Sequence, residues 1–144
     1  MTLLPPPLPE TLAPGLILHR GWFDRAAQEA LVAAVREVLR EAPLFTPPPE
    51  ACLINWYEVK ARMGLHQDRD EQEFAAPVLS VSLGDACLFR FGGKRRTDPT
   101  RSVRLESGDA LVIGGDSRLC FHGVDRVYAG SGDLLPQSGR INLT

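Results

Sequence analysis

The stretch GLHQDRDE, residues 64–71, sets His66 two positions before Asp68 and follows them with Asp70 and Glu71. In an extended segment residues i and i+2 project to one face, so an imidazole and a carboxylate can share a site there. The other histidines are His19 and His122. His122 lies far along the chain in the apolar run RLCFHG, where it reads as the end of a strand. Two histidines and one carboxylate on one face, with other positions open, form a ligand set that suits non-haem Fe(II) in oxygen-using enzymes. Open positions matter because a cosubstrate and O₂ must both reach the metal. The plainer alternatives are a charged loop for the H-x-D triplet and a carbonyl-bonded strand histidine for His122. His19, on an N-terminal strand, reads as structural.

The last residues, GRINLT, alternate so that Arg140, Asn142 and Thr144 share a face. An arginine inside a strand that otherwise reads as core needs a partner, and a carboxylate bound bidentately is the natural one. A cosubstrate of the 2-oxoglutarate type carries two carboxylates, one chelating the metal and one needing a buried cation. A salt bridge to an acid of the protein is the competing reading of Arg140.

These side chains depend on the elements that carry them. A proline-rich lead, residues 5–14, precedes the apolar run GLILHR. FDRAAQEALVAAVREVLREA then reads as a helix over 24–42, opened by Asp24 and ended by Pro43. Its apolar stripe is Ala27, Leu31, Ala34, Val35, Val38 and Ala42. Beyond Pro47–Pro49 the period becomes strand-like: ACLINWY, VLSVSL, ACLFRF, SVRL, ALVI, RLCFHG and RINL follow, separated by Gly, Asp and Pro turn signals. Many short strands at near-regular spacing predict an antiparallel sandwich or barrel.

The bulk numbers set the outer bounds. A chain of 144 residues with 44% hydrophobic and 24% charged residues reads as one ordinary globular domain, 1–144. The net charge of −2 argues against a uniformly basic nucleic-acid binder, although Arg90, Lys94, Arg95, Arg96, Arg101 and Arg104 gather around a single acid, Asp98. The N-terminus has no basic region before an apolar run, so no signal peptide is expected, and no stretch reaches the length of a membrane helix. Cys52, Cys87 and Cys120 read as buried thiols of a cytoplasmic protein rather than a disulfide framework.

CLINWY, LHQDRDE, SVSLG, FRFGG, SGDALVIGGDSRLCFHGV and RINLT, in that order and at compatible spacings, resemble the motifs of the AlkB family of Fe(II)/2-oxoglutarate-dependent dioxygenases. The resemblance covers most of residues 15–144 and implies a mainly β fold, a double-stranded β-helix (jelly roll) over 51–144 with an N-terminal supporting helix. It implies oxidative demethylation of alkylated nucleobases such as 1-methyladenine and 3-methylcytosine, with Fe(II), 2-oxoglutarate and O₂ as cofactors. His66, Asp68 and His122 match the family's metal ligands. Asn55, Tyr57, Arg140 and Asn142 match residues that hold the cosubstrate. For Tyr57 strand packing, and for Asn55 a strand-edge amide, are the alternatives. Asp70 matches an acid contacting the damaged base, with a solvated acid run as its alternative, and Arg96 matches a residue near the substrate. The basic stretch around Arg96 would supply phosphate contacts. The implied partner is alkylated DNA, single- or double-stranded, or RNA, with no membrane and a monomeric protein.

Two rival readings are a hydroxylase of a protein or small molecule and a catalytically silent module that binds damaged bases. In the resembled family a substrate-covering lid lies between the helix and the strand matching CLINWY. Only PLFTPPPE stands there here, so that lid is expected to be missing. The family's final motif also runs on to a second arginine, whereas this sequence ends at Thr144. The 144-residue chain is therefore expected to bind metal and cosubstrate more weakly than a longer version.

Overall fold

The computed structural model describes residues 7–41, 53–69 and 74–144. Among them are one α-helix, a 3-10 turn and ten strands, every pairing antiparallel. In chain order these are β1 (Glu10–Ala13), β2 (Leu16–His19), α1 (Arg25–Glu41), β3 (Ile54–Tyr57), β4 (Met63–His66), β5 (Val78–Gly84), β6 (Cys87–Phe91), β7 (Arg101–Leu105), β8 (Ala110–Ile113), β9 (His122–Val127) and β10 (Arg140–Leu143). A six-stranded sheet in the order β1-β2-β8-β5-β10-β3 faces a four-stranded sheet in the order β4-β9-β6-β7. This is the expected jelly roll with a supporting helix.

Strand alternation sorts the core. Leu16, Leu18, Val78, Leu111 and Ile113 from the larger sheet meet Cys87, Phe89, Phe91, Leu105, Val124 and Val127 from the smaller one. The opposite face of the larger sheet presents Val81, Leu83, Ile141 and Leu143 to Val32 and Val35 of α1. Apolar burial of this kind is worth about 25 cal/mol per Å², so these two layers dominate the fold's stability.

Asp24 opens α1 as expected, its Oδ1 accepting the Ala27 N–H at 2.8 Å. The buried face of the helix differs from the expected stripe, because Val32 is buried and Ala34 is exposed. Gln28 explains the rotation. Its amide donates to the Phe23 carbonyl at 2.7 Å and accepts from Ser107 Oγ at 2.6 Å, which turns the Gln28–Val32–Val35 line toward the sheet. The side chain of Val38, and Ala42, Pro43, the lid position 43–50 and Cys52, lie outside what is described. Cys87 and Cys120 are free and buried.

Three strand expectations need correction. The proline-rich lead contains β1, paired to β2 with a shift of register between Thr11 and Ala13. Of GLHQDRDE, whose plainer alternative was a charged loop, Gly64–His66 belong to strand β4 and His66 ends it. RLCFHG is not one strand: Arg118 caps the 3-10 turn Gly115–Ser117, and β9 begins, rather than ends, at His122. The 3-10 turn and its cap take up the residues before it, and the strand starts at His122. No described helix is long and apolar enough to cross a membrane.

Candidate active site

β4 and β9 bring the distant histidines together. His66 and His122 are cross-strand partners, and their ring centroids lie 4.6 Å apart. The two strands approach unusually closely at Gly123, where a Cβ would stand 2.5 Å from the Met63 carbonyl oxygen and 2.9 Å from that of Gly64. Glycine is therefore required beside His122 by the contact itself.

Asp68, two residues beyond the end of β4, folds back between the rings. Its Oδ1 lies 3.5 Å from His66 Nε2 and its Oδ2 3.4 Å from His122 Nε2. One donor atom from each of the three residues falls within 4.8 Å of the others. Each Nδ1 faces a backbone carbonyl, Gly64 at 3.0 Å and Cys120 at 3.1 Å. Those carbonyls hold the proton on Nδ1 and turn both Nε2 atoms inward, the arrangement a neutral metal-binding imidazole needs. Side-chain exposure climbs from His122 (8%) through Asp68 (23%) to His66 (38%), so the cluster opens on the His66 side.

The electrostatics fit a cation. Hydrogen bonds from His122 and then His66 hold the Asp68 carboxyl far below the usual range, against the opposing effect of burial. Burial lowers the His122 pKa, but the Asp68 and Cys120 contacts outweigh it and raise the net value well above the ordinary one. For His66 the Asp68 hydrogen bond, opposed by burial, gives a net rise as well. Without metal, protons fill the role of the positive charge. Two imidazoles and one carboxylate with an open side form a donor set into which divalent iron fits.

The second candidate lies in the same interior, on β10. Arg140 is 1% exposed, and its Nη2 donates to Ser82 Oγ at 2.9 Å and Asn142 Oδ1 at 3.1 Å. Its Nε and Nη1 have no hydrogen-bond partner among the described residues. Two buried guanidinium donors without an acceptor are costly, and a carboxylate fits them. No protein acid pairs with Arg140 among the described residues. The register places Arg140 opposite Tyr57 and Asn142 opposite Asn55, so all four expected cosubstrate residues share one face. The Arg140 guanidinium carbon lies 5.3 Å from the Tyr57 ring centroid. Tyr57 reaches across to the other sheet, its hydroxyl 3.5 Å from Met63 Sδ on the strand that carries His66. Burial raises its pKa first, Arg140 opposes, and Cys87 and Asp68 add to the rise, so the phenol stands between cation and carboxylate.

Arg96 sits on the loop beside β9, its guanidinium 5.1 Å from the ring of Phe121, the residue preceding His122. The basic stretch is largely spoken for. Arg90 pairs with Asp125, Arg95 with Asp98 and Arg104 with Glu106, while Arg101 donates to the Leu12 carbonyl. Lys94 and Arg96 are left without an acid partner among the described residues. Asp70 lies outside them. His19 stands apart, edge-on to Trp22 with centroids 4.9 Å apart.

Some site residues escape the sequence reading. Ser80 and Ser82 face Arg140 and Asn142, and Ser80 Oγ donates to Asn142 Oδ1 at 2.9 Å. Their two-residue spacing in VLSVSL was the available signal. Asp85 is buried and accepts the Gly130, Gly132 and Gly139 N–H groups at 3.2, 3.0 and 2.9 Å, fixing the turn that delivers Arg140. Gln67 and Arg118, which support the Asp68 turn, gave no signal.

The family model described as the 2OG-Fe(II) oxygenase superfamily matches residues 23–144. The chain belongs to that superfamily. Its relatives there are AlkB proteins: it is 61% identical over 97 residues to an alpha-ketoglutarate-dependent dioxygenase AlkB homolog of Caulobacter vibrioides, covering 67% of this chain and 44% of that protein. It is 44% identical over 106 residues to DNA N(6)-methyladenine demethylase ALKBH1D of Arabidopsis thaliana, covering 67% of this chain and 24% of that protein. The chain thus spans less than half the length of these relatives. The solved structure of OsALKBH1 superposes with a TM-score of 0.60 at 31% identity, covering 90% of this chain and 77% of that one. Superfamily membership carries with it the group that the donor set fits, Fe(II) with 2-oxoglutarate.

Proposed function

We propose that this chain is one dioxygenase domain that uses Fe(II) and 2-oxoglutarate to remove N-methyl groups from nucleobases, 1-methyladenine and 3-methylcytosine foremost, in DNA or RNA. The carrying observation is that the His66–Asp68–His122 cluster and the half-satisfied Arg140 guanidinium share one interior. His66 Nε2, His122 Nε2 and a carboxylate oxygen of Asp68 would hold the iron. Arg140 Nε and Nη1 would receive the distal carboxylate of 2-oxoglutarate, with Tyr57, Asn55 and Asn142 lining the same face. When bound, iron with 2-oxoglutarate and O₂ supplies the oxidation of the N-methyl group, giving succinate, CO₂ and a hydroxymethyl adduct that loses formaldehyde.

The residues of the chain orient and select. The target base must leave the stack to reach the cluster, which favours single strands and weakened pairs. It would enter on the His66 side, the open side. Both methylated bases are cationic, so Asp70 would favour them over the neutral parent bases. Lys94 and Arg96, which have no acid partner among the described residues, would meet phosphates there. The names of the AlkB and DNA demethylase relatives support a nucleic-acid substrate. We place the protein in the cytoplasm as a monomer.

Succinate and formaldehyde should form together when a 1-methyladenine oligonucleotide is added with Fe(II), 2-oxoglutarate and O₂, and Asp68→Ala should form neither. Succinate formed regardless of the oligonucleotide would favour a protein or small-molecule hydroxylase. Oligonucleotide binding without succinate would favour a silent recognition module.

A further inference from the structure

Arg118 is 4% exposed and lies between a 3-10 turn and a strand. Its guanidinium donates in two directions to main-chain carbonyls: Nη1 to Asp68 O at 2.9 Å and Nε to Ala76 O at 2.9 Å. The ring of Phe74 lies 5.5 Å from its Cζ. A second tie runs the opposite way, because Gln67 Nε2 donates to Leu119 O at 2.6 Å. The segment carrying Asp68 and the one leading into His122 are thus locked by two reciprocal side-chain bonds.

We propose that Arg118 is a positioning residue of the metal centre, fixing the Asp68 backbone so that its carboxylate meets both imidazoles. The inference rests on the metal-site reading above. Asp68 belongs to no strand, so no ladder holds it in place. Its carboxylate is the one donor of the three whose backbone needs a separate anchor. His66 and His122 are already set by the β4–β9 pairing. A planar guanidinium can serve two carbonyls at fixed angles, whereas an ammonium on a flexible stem is a poorer match for both. Groups that orient a ligand from behind typically change metal affinity by roughly 10–100-fold.

The test uses the 144-residue chain, metal-free and anaerobic, titrated with Mn(II) by calorimetry and with Co(II) by visible absorption. Arg118→Met should bind Mn(II) at least about tenfold more weakly and alter the Co(II) ligand-field bands, since the carboxylate no longer has a fixed approach. Arg118→Lys should recover part of both. An Arg118→Met protein with wild-type Mn(II) affinity and Co(II) spectrum overturns the assignment, even if its melting temperature falls. If Arg118→Met does not fold, Arg118→Lys decides: weaker Mn(II) binding with altered bands supports it, and wild-type behaviour overturns it. Absence of binding by the wild-type chain itself would overturn the metal-site reading, and this inference with it.

Discussion

Arg140 and Tyr57 stand directly opposite each other on β10 and β3, with the guanidinium carbon 5.3 Å from the phenol ring centroid and two guanidinium nitrogens left for an incoming acceptor. The aromatic face and the contacts to Ser82 and Asn142 hold the cation in place before a ligand arrives. Replacing Arg140 with Ala would bury the distal carboxylate of 2-oxoglutarate without a counter-charge, at a cost on the order of 3–5 kcal/mol. Calorimetric titration of 2-oxoglutarate into the anaerobic Mn(II) protein should show that loss. Unchanged affinity in Arg140→Ala would remove this residue from the cosubstrate site.

At Gly123 the constraint is steric. A Cβ there would press on two backbone oxygens of β4, which cannot rotate away as a side chain could. Gly123→Ala should therefore lower stability by about 1–3 kcal/mol and weaken Mn(II) binding as His66 moves off His122. Thermal melting and metal titration check both. Wild-type values would show that the two strands can spread at no cost to the site.

The pH dependence has opposite signs with and without metal. In the metal-free protein His122 has a raised pKa, so its contribution to stability is full below about 6.5 and is lost as pH climbs through the raised value. Asp68 has a lowered pKa, so its contribution is present above about 3.8 and is lost as pH falls through the lowered value. Metal binding must displace the His122 proton, so Mn(II) affinity should rise about tenfold per pH unit above neutrality while metal-free stability declines. Anaerobic titrations and melts from pH 6.5 to 8.5 measure both slopes. Affinity flat across that range would mean that the imidazoles are already neutral.

Asp70 separates recognition from chemistry. Asp70→Asn should lose roughly ten- to a hundred-fold in activity on cationic 1-methyladenine, the worth of about 1.5–3 kcal/mol for a hydrogen bond to a charged group. Neutral ethenoadenine should be affected less. Competition assays with the two lesions in one oligonucleotide context decide it, since an equal loss on both would assign Asp70 to structure.

Local pattern was enough to set faces. Alternation in RINLT puts Arg140 with Asn142, because successive strand residues point to opposite sides whatever lies beyond them, whereas Asp68 meets His66 from beyond the end of β4. The motif string likewise pointed to the jelly roll and to the superfamily. Neighbours are another matter. That His66 faces His122, that Ser82 lies under Arg140, and that Arg118 reaches back to Asp68 follow from the pairing of β4 with β9, of β5 with β10 and from the 3-10 turn. Pairing between distant segments is chosen by the burial of the whole core, so no window of sequence contains it. The same holds for α1, whose expected stripe included Ala34, whereas the packed helix buries Val32 instead, with Gln28 bonded to Ser107. The residue types were legible along the chain, and the tertiary structure decided which of them touch.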